Sequence, residues 1–259
     1  MLAPVGCRAV SGFVGRNRKL GLDANLDLVE KVLVPLWLEM KDLGVNFQIE
    51  NCPMPGWWED NPEQFVKNLP STADGMIRVL EIAARNGCDN VGLTYDASHD
   101  VLQGTDPQNT IWELCQAGLA DRIFATHGKD MHLDQERISR FGRHGQRFAL
   151  QDHPAKGWGA MIGDHGMPGI CTYDPAKLEA GHSVDFVAQA GALLDAGCDL
   201  STMPQVLEHE WTPMRVQDPE KIIEMYSLSI EWYRAALTMA TVHDKAWDYC
   251  GSNDVMIPD

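Results

Sequence analysis

The sequence predicts an α/β protein built from about five parallel β/α repeats. Short, β-rich apolar runs alternate with longer segments of helical period. Each of the last four apolar runs also ends on an acidic residue or a histidine. The length of 259 residues, with 44% apolar content, is enough for one sizeable core. No stretch has the composition of a linker, so one domain over 1–259 is expected.

The strands are read at Val5–Val14, Val45–Asn51, Asn90–Asp96, Arg122–His127 and Pro204–Glu210, each as a run buried on both faces. Helices are expected at about 25–43, 72–86, 107–120 and 183–197, from apolar spacing at i, i+3 and i+4. The glycines of "NGCDN" and "AGCDL" suit helix C-termini ahead of the next strand. A last helix starts at Pro219, with Ile222, Ile223, Tyr226, Ile230 and Tyr233 on one face. Residues 142–182 are rich in Gly, His, Pro and Asp and too long for an ordinary connection, so they read as a loop covering a site.

Charge and composition narrow the function classes. A net charge of -16 opposes binding to a phosphate backbone or an anionic bilayer, so neither nucleic acid nor membrane is an expected partner. There is no signal-peptide pattern and no apolar run of bilayer length, which reads as a soluble, cytoplasmic protein. Seven scattered cysteines without C-x-x-C spacing read as reduced thiols. Dinucleotide, P-loop, zincin and nucleophile-elbow motifs are all missing from the sequence.

The strand ends carry the chemistry. Glu50 in "FQIEN", Asp96 in "GLTYD", His127 in "FATH" and Glu208 in "QVLEHE" close four successive strands. In parallel β/α architectures the site lies at the carboxyl ends of the strands, so these side chains would converge. Three carboxylates within about 4 Å repel by about 4 kcal/mol per pair at an effective dielectric near 20, which one imidazole cannot offset and a cation can. The oxygen-rich set suits Mn²⁺ first, with Mg²⁺ or Co²⁺ close behind. Taken alone, Asp96 reads as a helix N-cap. His99 is either a loop histidine or a substrate contact, and Trp57 and Trp58 either stack on a sugar or form a local core. His209 should point away from the site. Glu210 either faces it or pairs with a neighbour.

The segments "FQIENCPM", "VGLTYDASH", "THGKD" and "VLEHEW" resemble the successive strand-end motifs of the xylose isomerase-like TIM-barrel superfamily, the sugar phosphate isomerases/epimerases. The resemblance runs from about Val5 to the final helix. It implies that Glu50, Asp96, His127 and Glu208 hold one divalent metal, with Glu50 and Glu208 also the acid/base pair. It implies that His99 and Lys129 contact the substrate, with Trp57 a further candidate. Relatives carry an acidic residue where Trp211 stands. The strand at Val5–Val14 matches the family's fourth, so the first three of its eight β/α units are not seen. Five strands cannot close a barrel of ordinary tilt and shear. The chain is therefore expected to be N-terminally incomplete, or an open partial barrel that forms a homo-oligomer or serves as a partner subunit.

The implied activity is metal-dependent isomerisation or epimerisation of a keto-sugar through an enediolate. One alternative is a lyase or dehydratase acting on an oxidised sugar, an inosose or a 3-oxo-glycoside, including C-glycoside cleavage. The other is a non-catalytic sugar-binding subunit. In each case the partner is a small sugar or a polyol-derived ketone.

Overall fold

The computed structural model describes residues 6–17, 19–53, 68–133, 162–166, 184–208 and 219–251. Five parallel strands form one sheet: β1 (Ala9–Gly12), β2 (Asn46–Glu50), β3 (Val91–Asp96), β4 (Ile123–Gly128) and β7 (Gln205–Leu207), in that spatial order. This is the predicted partial barrel. Two short strands absent from the sequence reading, β5 (Asp130–Leu133) and β6 (Ile162–Gly166), pair antiparallel in a second sheet. β6 lies within the 142–182 segment, most of which falls outside the described residues.

The expected helices are α1 (Leu22–Asp42), α2 (Ala73–Arg85), α4 (Pro107–Gln116), α5 (Phe186–Asp195) and α6 (Pro219–Gly251). Helix α3 (Ala97–Gln103) was not foreseen, because at seven residues it is too short to show a period. Helix starts follow side-chain caps: the Thr72, Asp106 and Asp185 side chains accept from Gly75, Gln108 and Ala188 N–H. After α2 the chain turns at Gly87, whose φ of 75° is the left-handed conformation that a glycine adopts without strain.

The core lies between the helices and the middle strands. Trp37 of α1, Met76 and Leu80 of α2, Ile49, Leu93 and Ile111 are all at most 1% exposed. β3 is buried along its whole length. At Gly92 a Cβ would sit 2.4 Å from the Arg122 carbonyl oxygen, so glycine here permits the close approach of β4.

Two expectations fail at the sheet ends. β1 alternates exposed and half-buried positions, and Val206 of β7 is 48% exposed, so the end strands are not buried on both faces; β2, though inside the sheet, has Ile49 alone buried. Among the described residues, β1 and β7 each have a neighbouring strand on one side only, which a sequence pattern does not reveal. On α6 the inward face is Ser229, Tyr233, Ala236 and Ala240, with Tyr233 packed edge-on against Phe186 at 5.4 Å between ring centroids. Ile223, Tyr226 and Ile230 are exposed. The side chain of Ile222 lies outside the described residues.

Candidate metal centre

Glu50 ends β2, Asp96 ends β3, His127 is the next-to-last residue of β4, and Glu208 follows β7. The register aligns Asp96 with His127, and His127 with Val206, so the four lie at one end of the sheet. From β2 to β7 there are three inter-strand steps of about 4.8 Å, which in a flat sheet would set the chains about 14 Å apart. Yet one donor atom from each of Glu50, Asp96, His127 and Glu208 lies within 4.8 Å of the others. The curl of the sheet and the reach of two glutamates close that gap.

Buried amides hold the strand ends in place. Asn51 Oδ1 accepts from Asp96 N–H at 2.8 Å and its Nδ2 donates to the Asp96 carbonyl at 3.0 Å, tying the end of β2 to the end of β3. Asn68 Nδ2 donates to the Glu50 and Cys52 carbonyls at 2.9 and 3.0 Å, while its Oδ1 accepts from the Val14 and Gly15 N–H groups. On either side of the Asp96–His99 turn, the Tyr95 hydroxyl donates to Asp100 at 2.5 Å. The sequence reading missed these residues; an asparagine directly after the ligand strand was the available signal.

Asp96 caps a helix with one oxygen and turns the other toward the quartet. Its Oδ1 caps α3, accepting from Ser98 N–H at 2.9 Å and Ser98 Oγ at 2.6 Å. Its Oδ2 faces the quartet, 3.2 Å from His99 Nε2 and 2.8 Å from Lys129 Nζ. His99, fully buried, also approaches Glu50 Oε1 at 3.2 Å. Lys129, also fully buried, reaches Glu208 Oε2 at 3.0 Å, so its ammonium stands among the carboxylates. Trp57, Trp58, His209, Glu210 and Trp211 lie outside the described residues.

Electrostatics follow from this crowding. Burial alone would raise the Asp96 carboxyl, but the charges of Lys129, His99 and His127 outweigh it and hold it well below the usual range. Burial likewise opposes ionisation of Glu208, yet His127 and Lys129 bring it to about 2. Burial would lower His99, and Asp96 with Cys52 overcomes both burial and Lys129 to raise it to about 10. His127 is raised against its burial by Glu208, Asp96 and Glu50.

A cation fits these residues. Asp96 Oδ2 and His127 Nδ1 are buried, with the Lys129 ammonium and the Glu208 carboxylate each 2.8 Å away. An ion entering here would take the place of the Lys129 ammonium beside Asp96 and of the His127–Glu208 contact. Three carboxylates and one imidazole suit a hard divalent ion, and the Lys129 ammonium marks where positive charge is stabilised.

Comparison with solved structures supports the fold. An L-ribulose 3-epimerase superposes with a TM-score of 0.54 at 16% identity over 99% of this chain and 68% of that one. A xylose isomerase domain protein from Planctomyces limnophilus gives 0.52 at 16% over 92% and 64%. A 3-keto-D-glucoside 4-epimerase from E. coli gives 0.50 at 16% over 90% and 66%. The chain spans about two thirds of the length of these proteins and shares the fold of xylose isomerase-like TIM barrels. No protein-family model and no curated protein matches it. Among the described residues, no helix is long and apolar enough to cross a membrane.

Proposed function

We propose that this chain is a divalent-metal-dependent isomerase or epimerase of a keto-sugar. The observation that carries the reading is the convergence of Glu50, Asp96, His127 and Glu208, from four neighbouring strands, to within 4.8 Å. A divalent ion held by these four, Mn²⁺ before Mg²⁺ or Co²⁺, would polarise a substrate carbonyl and its neighbouring hydroxyl. Glu50 and Glu208 enter from strands separated by β3 and β4, so they stand on two sides of a substrate seated between them. Glu208, ionised at neutral pH, is ready to take the proton next to the carbonyl, and Glu50 is placed to return one on the other face. Return to the same carbon inverts it, whereas return to the adjacent carbon moves the carbonyl. His99 lies between Glu50 and Asp96, and Lys129 between Asp96 and Glu208, where each can donate to substrate oxygens.

The decisive experiment is a screen of ketoses, inososes and 3-oxo-glycosides on metal-reconstituted protein in D₂O, followed by NMR. Deuterium uptake next to the carbonyl, with an epimer or isomer as product, is expected. Uptake followed by an eliminated fragment would assign a lyase instead, a reading for which the fold shared with a 3-keto-glucoside epimerase makes oxidised glycosides sensible substrates. Folded protein that binds sugar without metal or exchange would make the chain a binding subunit.

A further inference from the structure

Two residues beyond Glu50 stands Cys52, which the quartet does not use. Side chains two apart on an extended chain leave it on the same side, and Asn68 holds the carbonyls of both residues, so Cys52 is set beside Glu50. One carboxylate oxygen of Glu50, the Cys52 sulfur and a ring nitrogen of His99 lie within 4.8 Å of one another. Cys52 and His99 are at most 1% exposed, and Cys52 is among the groups that act on the His99 ring. Bonds of about 2.0–2.3 Å at tetrahedral angles put ligand atoms roughly 3.3–3.8 Å apart, within reach of side-chain rotation of about 1 Å. The trio offers one carboxylate, one imidazole and one sulfur where the quartet offers three carboxylates and one imidazole, and sulfur is a donor that zinc- and cadmium-type ions favour and manganese and magnesium do not.

We propose that Glu50, Cys52 and His99 form a second cation position, selective for thiophilic divalent ions, whose occupation draws Glu50 out of the quartet and opposes the reaction. Binding replaces the S–H bond of Cys52 by a sulfur–metal bond and releases the proton to solvent. The inhibitory consequence rests on the function proposed above, whereas the site itself does not.

The test is titration of the full metal-free chain with Cd²⁺, read by the ultraviolet thiolate-to-metal charge-transfer band. One equivalent of band is expected, lost in both Cys52→Ser and Cys52→Ala. In protein preloaded with Mn²⁺, Cd²⁺ should release the ion as a free-Mn²⁺ EPR signal in the wild type and not in Cys52→Ser. No band, or a band that survives both variants, overturns the site; a band with no Mn²⁺ release overturns the sharing of Glu50. Should the variants misfold, alkylation of wild-type protein mapped by mass spectrometry serves instead: Cd²⁺ must shield Cys52, and unchanged labelling refutes the proposal. A cadmium band in protein that takes up no Mn²⁺ would sink the quartet reading and leave this one standing. Mn²⁺ uptake without a cadmium band does the reverse.

Discussion

The middle of the sheet and its two ends are built by different rules. β2, β3 and β4 each have a neighbour on both sides, and the ends of these strands carry Glu50, Asp96 and His127. At the ends, β1 and β7 have one neighbour each among the described residues, and the flanking helices show apolar residues to solvent: Leu28, Val32 and Leu36 on α1, and Ile223, Tyr226 and Ile230 on α6. These two sets are spaced i, i+4, i+8 and i, i+3, i+7, so each is a face rather than scattered exposure. The site draws its rigidity from the doubly supported strands, and only Glu208 reaches it from an end.

The largest effect should come from the middle. Leu93→Ala, at a position 1% exposed between neighbouring strands, should cost about 2–5 kcal/mol in urea unfolding. Next, Glu208→Gln should weaken Mn²⁺ binding by at least about 100-fold in EPR titration while leaving the thermal melt of the metal-free protein within a few degrees, since the residue is 28% exposed and follows an end strand. A fully retained affinity would mean that the end strand contributes nothing to the site. Lys129→Met should tighten Mn²⁺ by about tenfold, because the buried ammonium competes for Asp96 and Glu208; weaker binding would show that Lys129 supports the ion rather than standing in for it.

Acid should weaken metal binding for a related reason. The pKa of His127 is raised above the ordinary histidine value, and only the neutral ring can ligate. Affinity is therefore full above the raised pKa and falls as pH drops through it, by about tenfold per unit for one competing proton. Calorimetry in buffers of different ionisation enthalpy should detect the released proton. The smallest effects belong to the sheet ends: Val32→Ser on α1 and Ile223→Ser on α6 should each change stability by no more than about 0.5 kcal/mol, since both residues are at least 60% exposed. A loss of about 2 kcal/mol at either would show that its helix face is covered in solution.

The same division sets what the sequence made legible. The β/α units were legible because short β-rich runs alternate with segments of helical period, most plainly at β3, which is buried throughout. The four converging side chains were legible because each apolar run stops on one. The orientation of α6 was not legible: Ile223, Tyr226 and Ile230 look like a core stripe, while the face that packs is carried by Ser229, Tyr233 and two alanines. Residue size, not hydrophobicity, decides how near a helix can come. The cation position of Lys129 was equally hidden, since two residues beyond His127 it could be assigned to the substrate as readily as to the carboxylates.

Asp96 does two jobs at once, with one oxygen on a helix and the other on the site. In a lineage of related chains, selection for the fold alone would keep an aspartate there long after activity had gone. Among the described residues, the side chain of Glu208 pairs with His127 and Lys129 and caps no helix. Its loss, rather than that of Asp96, is the change that would distinguish a descendant that has kept the architecture from one that has kept the proposed reaction.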